Sequence, residues 1–382
     1  MSRAPEKLRA WAEVDLGSLE RNLASIRAAL PPYLKYIAVV KADAYGHGMP
    51  AVATRLMRGG ADMFAVANLA EAAALREIGT GWPILLLSAV LPSEDRDLVT
   101  YQATPTVSGY EEVERFGRLG EQQGKPFHVH LKVDTGMGRL GIWHDEALAL
   151  YQAIVAHPHL SLEGIYTHFS SADVDNAYTV AQRDLFVRTL ERFPGLDPSK
   201  VLIHADNSGG LETFPRTGIF RGVRIGLLQY GVGPYPRSLL GSAKVYPVFS
   251  FHARVGLVKS LPEGASVSYG RSYTLKRRSQ LAVLTAGYGD GVPTTLSNRG
   301  VVLIRGQRCP IIGRVTMDQT IVDVTDLDGA VAPGELATLV GQQGDERITV
   351  VEFSRMSGQV PWEVFCGVTK RVERLYKTDT AV

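Results

Sequence analysis

A lysine at the end of an apolar run is the first residue in this sequence whose position suggests chemistry. Residues 37–40 read Ile-Ala-Val-Val, which is typical of a buried strand, and Lys41 follows them directly. Burial at the edge of a core disfavours the charged form of an amine and so favours the neutral nucleophile that Schiff-base chemistry requires. A lone lysine at a strand end more often extends its charged amine into solvent. Whether Lys41 is reactive therefore depends on the residues around it.

The run before Lys41 is one of about eight short apolar runs that alternate with amphipathic helical stretches. The runs cover residues 36–40, 63–67, 84–88, 104–107, 127–133, 162–168, 201–206 and 222–226. The helical stretches include residues 16–30, 68–78, 110–123, 144–156 and 176–193. Eight strands that alternate with helices close a (β/α)₈ barrel, so this part of the chain is predicted to be α/β with a TIM-barrel fold.

The pattern changes near residues 231–241, where glycine and proline interrupt the chain and helical periodicity ends. The following residues form short strand-like runs between Gly, Asp and Pro turns, which predicts a mostly β second domain. We therefore predict a barrel domain over residues 1–236 and a mostly β C-terminal domain over residues 237–382. The segment 8–15 is expected to join the C-terminal domain.

Polar residues follow several of the predicted barrel strands. In a barrel the carboxyl ends of all strands face one mouth, where loops carry the chemistry. Besides Lys41 and Tyr45, the strand ends present residues 134–139, His168, residues 207–210 and residues 224–227. We expect these groups to share one site.

Two of these strand ends are suited to bind a phosphate. Ser208 is followed by two glycines and offers a hydroxyl with backbone N–H groups, and Gly226 and Leu227 lie at the end of the neighbouring strand. A reactive lysine across the mouth from a phosphate site is what pyridoxal phosphate requires. Arg224 could then reach the nitrogen of the cofactor ring.

The sequence resembles the alanine racemases over nearly its whole length. The matching motifs are AVVKADAYGHG at 38–48, KVDTGMGRLG at 132–141, HADNS at 204–208, VSYG at 267–270, GYGDG at 287–291 and GRVTMDQ at 313–319. The resemblance implies a pyridoxal-phosphate enzyme that interconverts L-alanine and D-alanine and supplies D-alanine for peptidoglycan. It also implies a homodimer in which the two catalytic bases are Lys41 of one subunit and Tyr269 of the partner subunit.

The resemblance assigns roles to the other motif residues as well. It implies that Arg224 donates to the pyridine nitrogen and that His168 lies against the ring and bonds Arg224. Arg139 would contact the phenolic oxygen of the cofactor and the substrate carboxylate, which the backbone N–H of the partner's Met317 would also bind. The residues implied at the phosphate or elsewhere on the cofactor are Tyr45, Asn207, Ser208, Gly226 and Leu227.

The resemblance also bears on two lysines. Lys132 matches a lysine that is carbamylated in some members of the family, where it orients the arginine that corresponds to Arg139. Lys370 aligns with a phosphate-binding tyrosine that many members carry near the C-terminus. This departure leaves part of the implied phosphate site open.

The bulk composition limits the classes of partner. With 41 basic and 39 acidic residues the net charge is only +2, so no nucleic-acid or anionic-membrane surface is indicated. We see no secretory signal and no apolar run long enough to span a bilayer. The two cysteines form no closely spaced pair, which suits a reducing compartment, and we expect a cytoplasmic protein.

Three other functions remain to be weighed. His128 and His130 alternate on a predicted barrel strand and could bind one metal ion in a hydrolase, although they precede the strand end where ligands belong. A barrel-type pyridoxal-phosphate decarboxylase is closer, but Arg224 as the partner of the ring nitrogen favours racemisation. A non-catalytic cofactor-binding barrel leaves Tyr269 and Met317 without a role.

Overall fold

The computed structural model describes residues 7–212, 218–233 and 243–378. These residues divide into two compact units. The β unit comprises residues 7–18, 45–48 and 246–378, and the barrel unit comprises the remaining described residues from 19 to 245. The predicted domain boundary between residues 236 and 237 lies outside the described residues. Within the described ranges, no helix is long and apolar enough to cross a membrane.

Parallel strands close into a ring in the barrel unit. After β1 (Ala10–Asp15) of the β unit, the chain forms β2 (Lys35–Val39), β3 (Met63–Val66), β4 (Ile84–Leu86), β5 (Thr106–Val107), β6 (Phe127–Asp134), β7 (Ile142–Trp143), β8 (Leu160–Tyr166), β9 (Leu202–His204) and β10 (Gly222–Ile225). In the described part of the chain, the ring contains β2–β6 and β8–β10, and β10 pairs back onto β2. A parallel bridge between Leu85 and Thr104 joins β4 to the start of β5, while β7 pairs only with β6 among the described strands.

Helices connect the ring strands. They are α1 (Leu16–Ala29), α2 (Lys41–Tyr45), α3 (Met49–Gly59), α4 (Leu69–Ile78), α5 (Asp95–Thr100), α6 (Tyr110–Gln123), α7 (Ala147–Ala156) and α8 (Asn176–Glu191). Leu19, Leu23 and Ile26 of α1 are buried at the spacing of one helical face. The strands β3 and β4 are buried along their whole length, because a barrel strand is covered by core side chains inside and by helices outside.

The β unit is built mainly from antiparallel strands. Its further elements are β11 (Phe249–Leu261), β12 (Ser266–Val267), β13 (Tyr273–Thr274), β14 (Ser279–Leu284), β15 (Val301–Ile304), β16 (Gln307–Pro310), β17 (Thr320–Asp323), β18 (Leu336–Gln343), β19 (Glu346–Ile348), α9 (Val350–Ser357), α10 (Pro361–Gly367) and β20 (Glu373–Lys377). The main sheet has the order β16-β15-β18-β11-β1-β20, and β14 connects β11 to β17. In this sheet β1 is antiparallel to β11 and parallel to β20. The predicted fold class, a (β/α)₈ barrel followed by a mostly β C-terminal domain, is confirmed.

Candidate active site

The guanidinium of Arg224 lies among buried polar groups inside the barrel unit. Arg224, on β10, is only 3% exposed. Its Nη1 donates to Nδ1 of His204 over 2.7 Å, and its Nη2 donates to the carbonyl oxygens of Thr167 and Ala205 and lies 3.1 Å from Nδ1 of His168. Among the residues that the structure describes, none accepts a hydrogen bond from the Nε–H of Arg224. One donor of a buried cation is therefore left for a ligand.

The histidines near Arg224 are neutral. Burial and the charge of Arg224 lower the pKa of His130 to about 3, and they hold the pKa values of His168 and His204 well below the usual range. Burial also lowers the pKa of Arg224 to about 10, which still leaves its guanidinium charged at neutral pH. The cluster therefore holds one permanent cation among neutral imidazoles.

Lys132 is a buried lysine beside this cluster. It lies near the end of β6, and burial together with the charges of Arg224 and Arg139 lowers its pKa to about 7. The charge of Lys41 acts in the same direction, which indicates that Lys41 and Lys132 face a common region. Nζ of Lys132 is 5.3 Å from the ring centroid of Tyr166. At neutral pH a large fraction of the Lys132 amine is therefore uncharged.

The carboxylate of Asp134 organises the loop that leads to Arg139. Its Oδ1 accepts hydrogen bonds from the backbone N–H groups of Gly136 and Met137, at 2.9 and 2.8 Å, and its Oδ2 accepts one from Gly138 at 2.8 Å. Three backbone donors on one carboxylate fix the course of the loop. The side chain of Arg139, which follows directly, is exposed and available to an anionic ligand.

Ser208 and Gly226, two of the predicted phosphate-binding residues, lie together after the ends of β9 and β10. Oγ of Ser208 accepts hydrogen bonds from the N–H groups of Gly226 and Leu228, at 3.1 and 3.4 Å. The hydroxyl proton of Ser208 is then left to be donated elsewhere. Oδ1 of Asn207 accepts from the N–H of Gly210 over 2.8 Å and so stabilises the turn that carries Ser208.

Lys41 opens α2, a single turn whose backbone is left-handed. The φ angles of Ala42, Asp43, Ala44 and Tyr45 are 52°, 54°, 53° and 54°. This region costs a residue other than glycine roughly 1–2 kcal/mol. Such strain persists only where the surroundings impose it, and it occurs most often at functional positions. The chain thus turns sharply at the lysine that the sequence singles out.

Two carboxylates hold this strained turn within the barrel unit. Oδ1 of Asp43 accepts a hydrogen bond from the N–H of Met49 over 2.7 Å. Oε1 of Glu71 accepts from the N–H of Ala42, and Oε2 accepts from the N–H of Ala67, both over 2.7 Å. Glu71, on α4, thereby connects the start of the turn after Lys41 to the residue that follows β3.

Several predicted site residues belong to the β unit. Tyr45 lies in its segment 45–48, and burial raises the pKa of the phenol to about 12. Tyr269 is 71% exposed, and Met317 is 52% exposed. The carbonyl oxygen of Met317 accepts from the N–H of Gly289 over 2.8 Å, whereas no acceptor for the Met317 N–H occurs in the described ranges. Lys370 is exposed.

Several polar residues of the barrel site were not expected from the sequence. Tyr166, whose ring stacks on His204 with centroids 4.7 Å apart, and the loop carboxylate of Asp134 had no predicted role. His130 was predicted only as a metal ligand. A usable signal was present, because His130 and Lys132 are two residues apart on one strand and so share a face.

The metal-site alternative fails on geometry. Nδ1 of His128 contacts Oε1 of Glu163 at 3.0 Å, whereas Nδ1 of His130 lies 3.2 Å from Nε2 of His204. The two histidines therefore have different partners. Over the described residues, no group of three His, Cys, Asp or Glu side chains is arranged to hold a metal ion.

Comparisons with known proteins all point to one family. Residues 14–234 match the family model "Alanine racemase, N-terminal domain", and residues 248–376 match "Alanine racemase, C-terminal domain". The alanine racemase of Symbiobacterium thermophilum is 40% identical over 373 residues, which cover 97% of this chain and 98% of the relative.

Two solved structures extend the similarity to the fold. Alanine racemase from Bacillus anthracis with bound L-Ala-P is 33% identical, with a TM-score of 0.87 and coverage of 98% of this chain and 97% of that one. Alanine racemase from Bartonella henselae with covalently bound pyridoxal phosphate is 28% identical, with a TM-score of 0.87 and coverage of 97% and 100%. The chain belongs to the alanine racemase family of enzymes.

Proposed function

We propose that this enzyme interconverts L-alanine and D-alanine with pyridoxal phosphate as its cofactor and two bases as its proton carriers. The observation that carries the proposal is the buried Arg224 cation, whose Nε–H has no acceptor in the described part of the chain. Such a donor suits the nitrogen of a pyridine ring, which is an acceptor without charge. The family membership supports the same cofactor and the same substrate.

The residues present fit pyridoxal phosphate. Lys41 would bond covalently to the aldehyde carbon, and Arg224 would donate to the ring nitrogen, with His168 against the ring. The hydroxyl proton of Ser208 remains available to a phosphate oxygen, because its Oγ already accepts from backbone N–H groups. We assign Tyr45, Asn207, Gly226 and Leu227 to the same phosphate region. A structural neighbour with covalently bound pyridoxal phosphate supports this choice.

When bound, pyridoxal phosphate supplies an electron sink that stabilises the negative charge left on an α-carbon after its proton is removed. Arg224 limits this effect. A guanidinium keeps its proton at physiological pH, so it can donate a hydrogen bond to the ring nitrogen but does not protonate it. This restraint favours return of the proton to the α-carbon, which is racemisation, over side reactions such as transamination.

Racemisation needs a base on each side of the α-carbon, because a proton leaves one face and another arrives at the opposite face. We assign the two positions to the amine of Lys41 and the phenol of Tyr269 of the partner subunit. This assignment requires a homodimer. The high exposure of Tyr269 in a single chain is consistent with a side chain that completes a partner's site.

Two groups are proposed to bind the substrate carboxylate. The exposed guanidinium of Arg139 supplies the charge, and the backbone N–H of the partner's Met317 supplies a second donor. We propose in addition that Lys132 is carbamylated, because its neutral amine is the form that adds carbon dioxide. The reaction releases one proton and replaces a buried amine with a carbamate anion beside Arg139.

The D-alanine formed would serve peptidoglycan synthesis. We place the reaction in a reducing compartment such as the cytoplasm, because the chain has only two cysteines and they form no closely spaced pair.

Borohydride reduction followed by peptide mapping, together with racemisation assays over a panel of L-amino acids, tests the proposal. The label is expected on Lys41, with alanine as the preferred substrate. Lys41→Ala should lose both the label and nearly all racemisation, whereas Tyr269→Phe should keep the label and lose mainly α-proton exchange from L-alanine. Label at another lysine, or carbon dioxide release in place of racemisation, would overturn the assignment.

Two further results bear on the two-base scheme. Equal loss of α-deuterium exchange from L- and D-alanine in Tyr269→Phe would contradict the assignment of one base to each face. A monomer that remains fully active in analytical ultracentrifugation would contradict the shared site.

A further inference from the structure

We infer that His130 is a positioning residue that fixes the tautomer of His204 and thereby holds the Arg224 guanidinium in its orientation. The three side chains form one hydrogen-bonded chain inside the barrel unit. Nδ1 of His130 lies 3.2 Å from Nε2 of His204, and Nδ1 of His204 lies 2.7 Å from Nη1 of Arg224. All three side chains are buried.

The direction of every hydrogen bond in this chain follows from Arg224. A guanidinium can only donate, so Nδ1 of His204 must accept and carries no proton. A neutral His204 then carries its proton on Nε2, which donates to His130. Nδ1 of His130 must therefore accept, and the proton of His130 is on its Nε2. Arg224 thus sets the direction of the hydrogen bonds, and His130 supplies the acceptor that favours the Nε2–H tautomer of His204 over the tautomer that would turn an N–H toward Arg224.

The fold makes a specific space for the His130 ring. Along β6 and β8, Val129 pairs with Leu162 but His130 pairs with Gly164, so Glu163 is an extra residue that forms a bulge in β8. A Cβ atom on Gly164 would lie only 2.4 Å from Cε1 of the His130 ring. A bulge and a glycine at this point both serve to admit the imidazole.

The consequence for the reaction rests on the function proposed above, in which Arg224 binds the ring nitrogen of the cofactor. Without an acceptor at residue 130, the Nε2 proton of His204 is buried without a partner. The other tautomer of His204 would then present an N–H to Nη1 of Arg224, so that two donors face each other. The guanidinium would shift, and its Nε–H would no longer point at a fixed position.

The test compares two substitutions in the full-length protein loaded with pyridoxal phosphate. His130→Leu removes the acceptor, whereas His130→Asn places an acceptor, Oδ1, where imidazole Nδ1 stood. In His130→Leu we expect kcat for alanine racemisation to fall about fivefold to tenfold, which is the effect of one buried hydrogen bond. His130→Asn should recover kcat to within about twofold. His128→Leu, on the same strand with an exposed side chain, is the matched control and should leave kcat unchanged.

Side-chain ¹⁵N NMR of histidine-labelled protein gives a readout that is independent of activity. The signals of His204 are identified by their loss in His204→Gln. Protonated Nε2 and unprotonated Nδ1 are expected in the unsubstituted protein and in His130→Asn, and a mixture of tautomers in His130→Leu. Unchanged His204 signals in His130→Leu, or an equal loss of kcat in both His130 variants, would overturn the inference. If the unsubstituted protein racemises no amino acid, the proposed function fails while the NMR result still decides the role of His130.

A double-mutant cycle separates the ring position from general packing. Gly164→Ala pushes against the His130 ring and should lower kcat in the otherwise unsubstituted protein. In a His130→Ala background the added methyl group meets no ring, so its further effect on kcat should be small. Additive effects of the two substitutions would overturn the inference.

Discussion

The buried amine of Lys132 makes protein stability depend on pH in a way that one substitution can isolate. In the unfolded chain Lys132 holds its proton up to a pKa of 10.5, whereas in the folded protein burial and the neighbouring Arg224 and Arg139 lower the pKa to about 7. Between these values the unfolded state binds more protons than the folded state. The free energy of unfolding therefore rises with pH over this window.

The size of the effect follows from the pKa values. Each pH unit across which only the unfolded state binds the proton contributes about 1.4 kcal/mol. Because the folded-state amine is half protonated at pH 7, the gain from pH 7 to pH 9 is about 2 kcal/mol. Lys132→Met keeps the length of the side chain but cannot titrate. The free energy of unfolding should thus rise by about 2 kcal/mol more in the unsubstituted protein than in Lys132→Met.

Urea denaturation at pH 7, 8 and 9 in buffer depleted of carbon dioxide measures this difference. Carbamylation must be absent from the sample, because a carbamate does not titrate in this range. ¹³C NMR after exposure to ¹³C-bicarbonate detects a carbamate and so also tests the proposed modification. We expect a carbamate signal in the unsubstituted protein and none in Lys132→Met. Parallel pH profiles of the two unmodified proteins would refute the argument that burial neutralises Lys132.

Two loops that carry site residues allow further predictions. Asp134→Asn replaces the oxygen that accepts from the N–H of Gly138 with an amide group that cannot accept. We expect the loop to lose about 2 kcal/mol of stabilisation and, because the loop carries Arg139, kcat/KM to fall roughly 30-fold. An unchanged kcat/KM in steady-state kinetics would contradict this. Glu71→Gln should lower the free energy of unfolding by about 1–2 kcal/mol. Ala42→Gly should raise it by up to about 1 kcal/mol, because glycine adopts a positive φ without strain. Urea denaturation measures whether the two changes in the free energy of unfolding have these opposite signs.

The barrel was predictable from the sequence because its signal is local. Polar residues follow several of the apolar runs, and in a closed ring those strand ends meet at one mouth, so the neighbourhood of His168 and Arg224 could be expected. The left-handed turn after Lys41 was not predictable, because its residues Ala-Asp-Ala-Tyr contain no glycine to indicate positive φ angles. That conformation is imposed by contacts with Asp43 and Glu71, and the contact with Glu71 depends on the folded barrel.

The hydrogen-bonded chain of His130, His204 and Arg224 could not be predicted from the sequence for a different reason. His130 and His204 are 74 residues apart in the sequence and come together only when β6, β8 and β9 lie side by side. A histidine on an apolar strand is ordinarily a core residue, so its type alone carried little information. The space at Gly164 depends on a one-residue bulge, which no periodicity in the sequence reveals.

The choice of partners around Arg224 has an electrostatic consequence. The described groups that accept its hydrogen bonds are carbonyl oxygens and imidazole nitrogens, none of which carries a charge. A carboxylate in their place would form an ion pair and neutralise the guanidinium. Neutral acceptors orient Arg224 while its positive charge stays available to a ligand. Burial and the charge of Arg224 hold the pKa values of His168 and His204 low, so both imidazoles stay neutral and remain able to accept a hydrogen bond from the guanidinium.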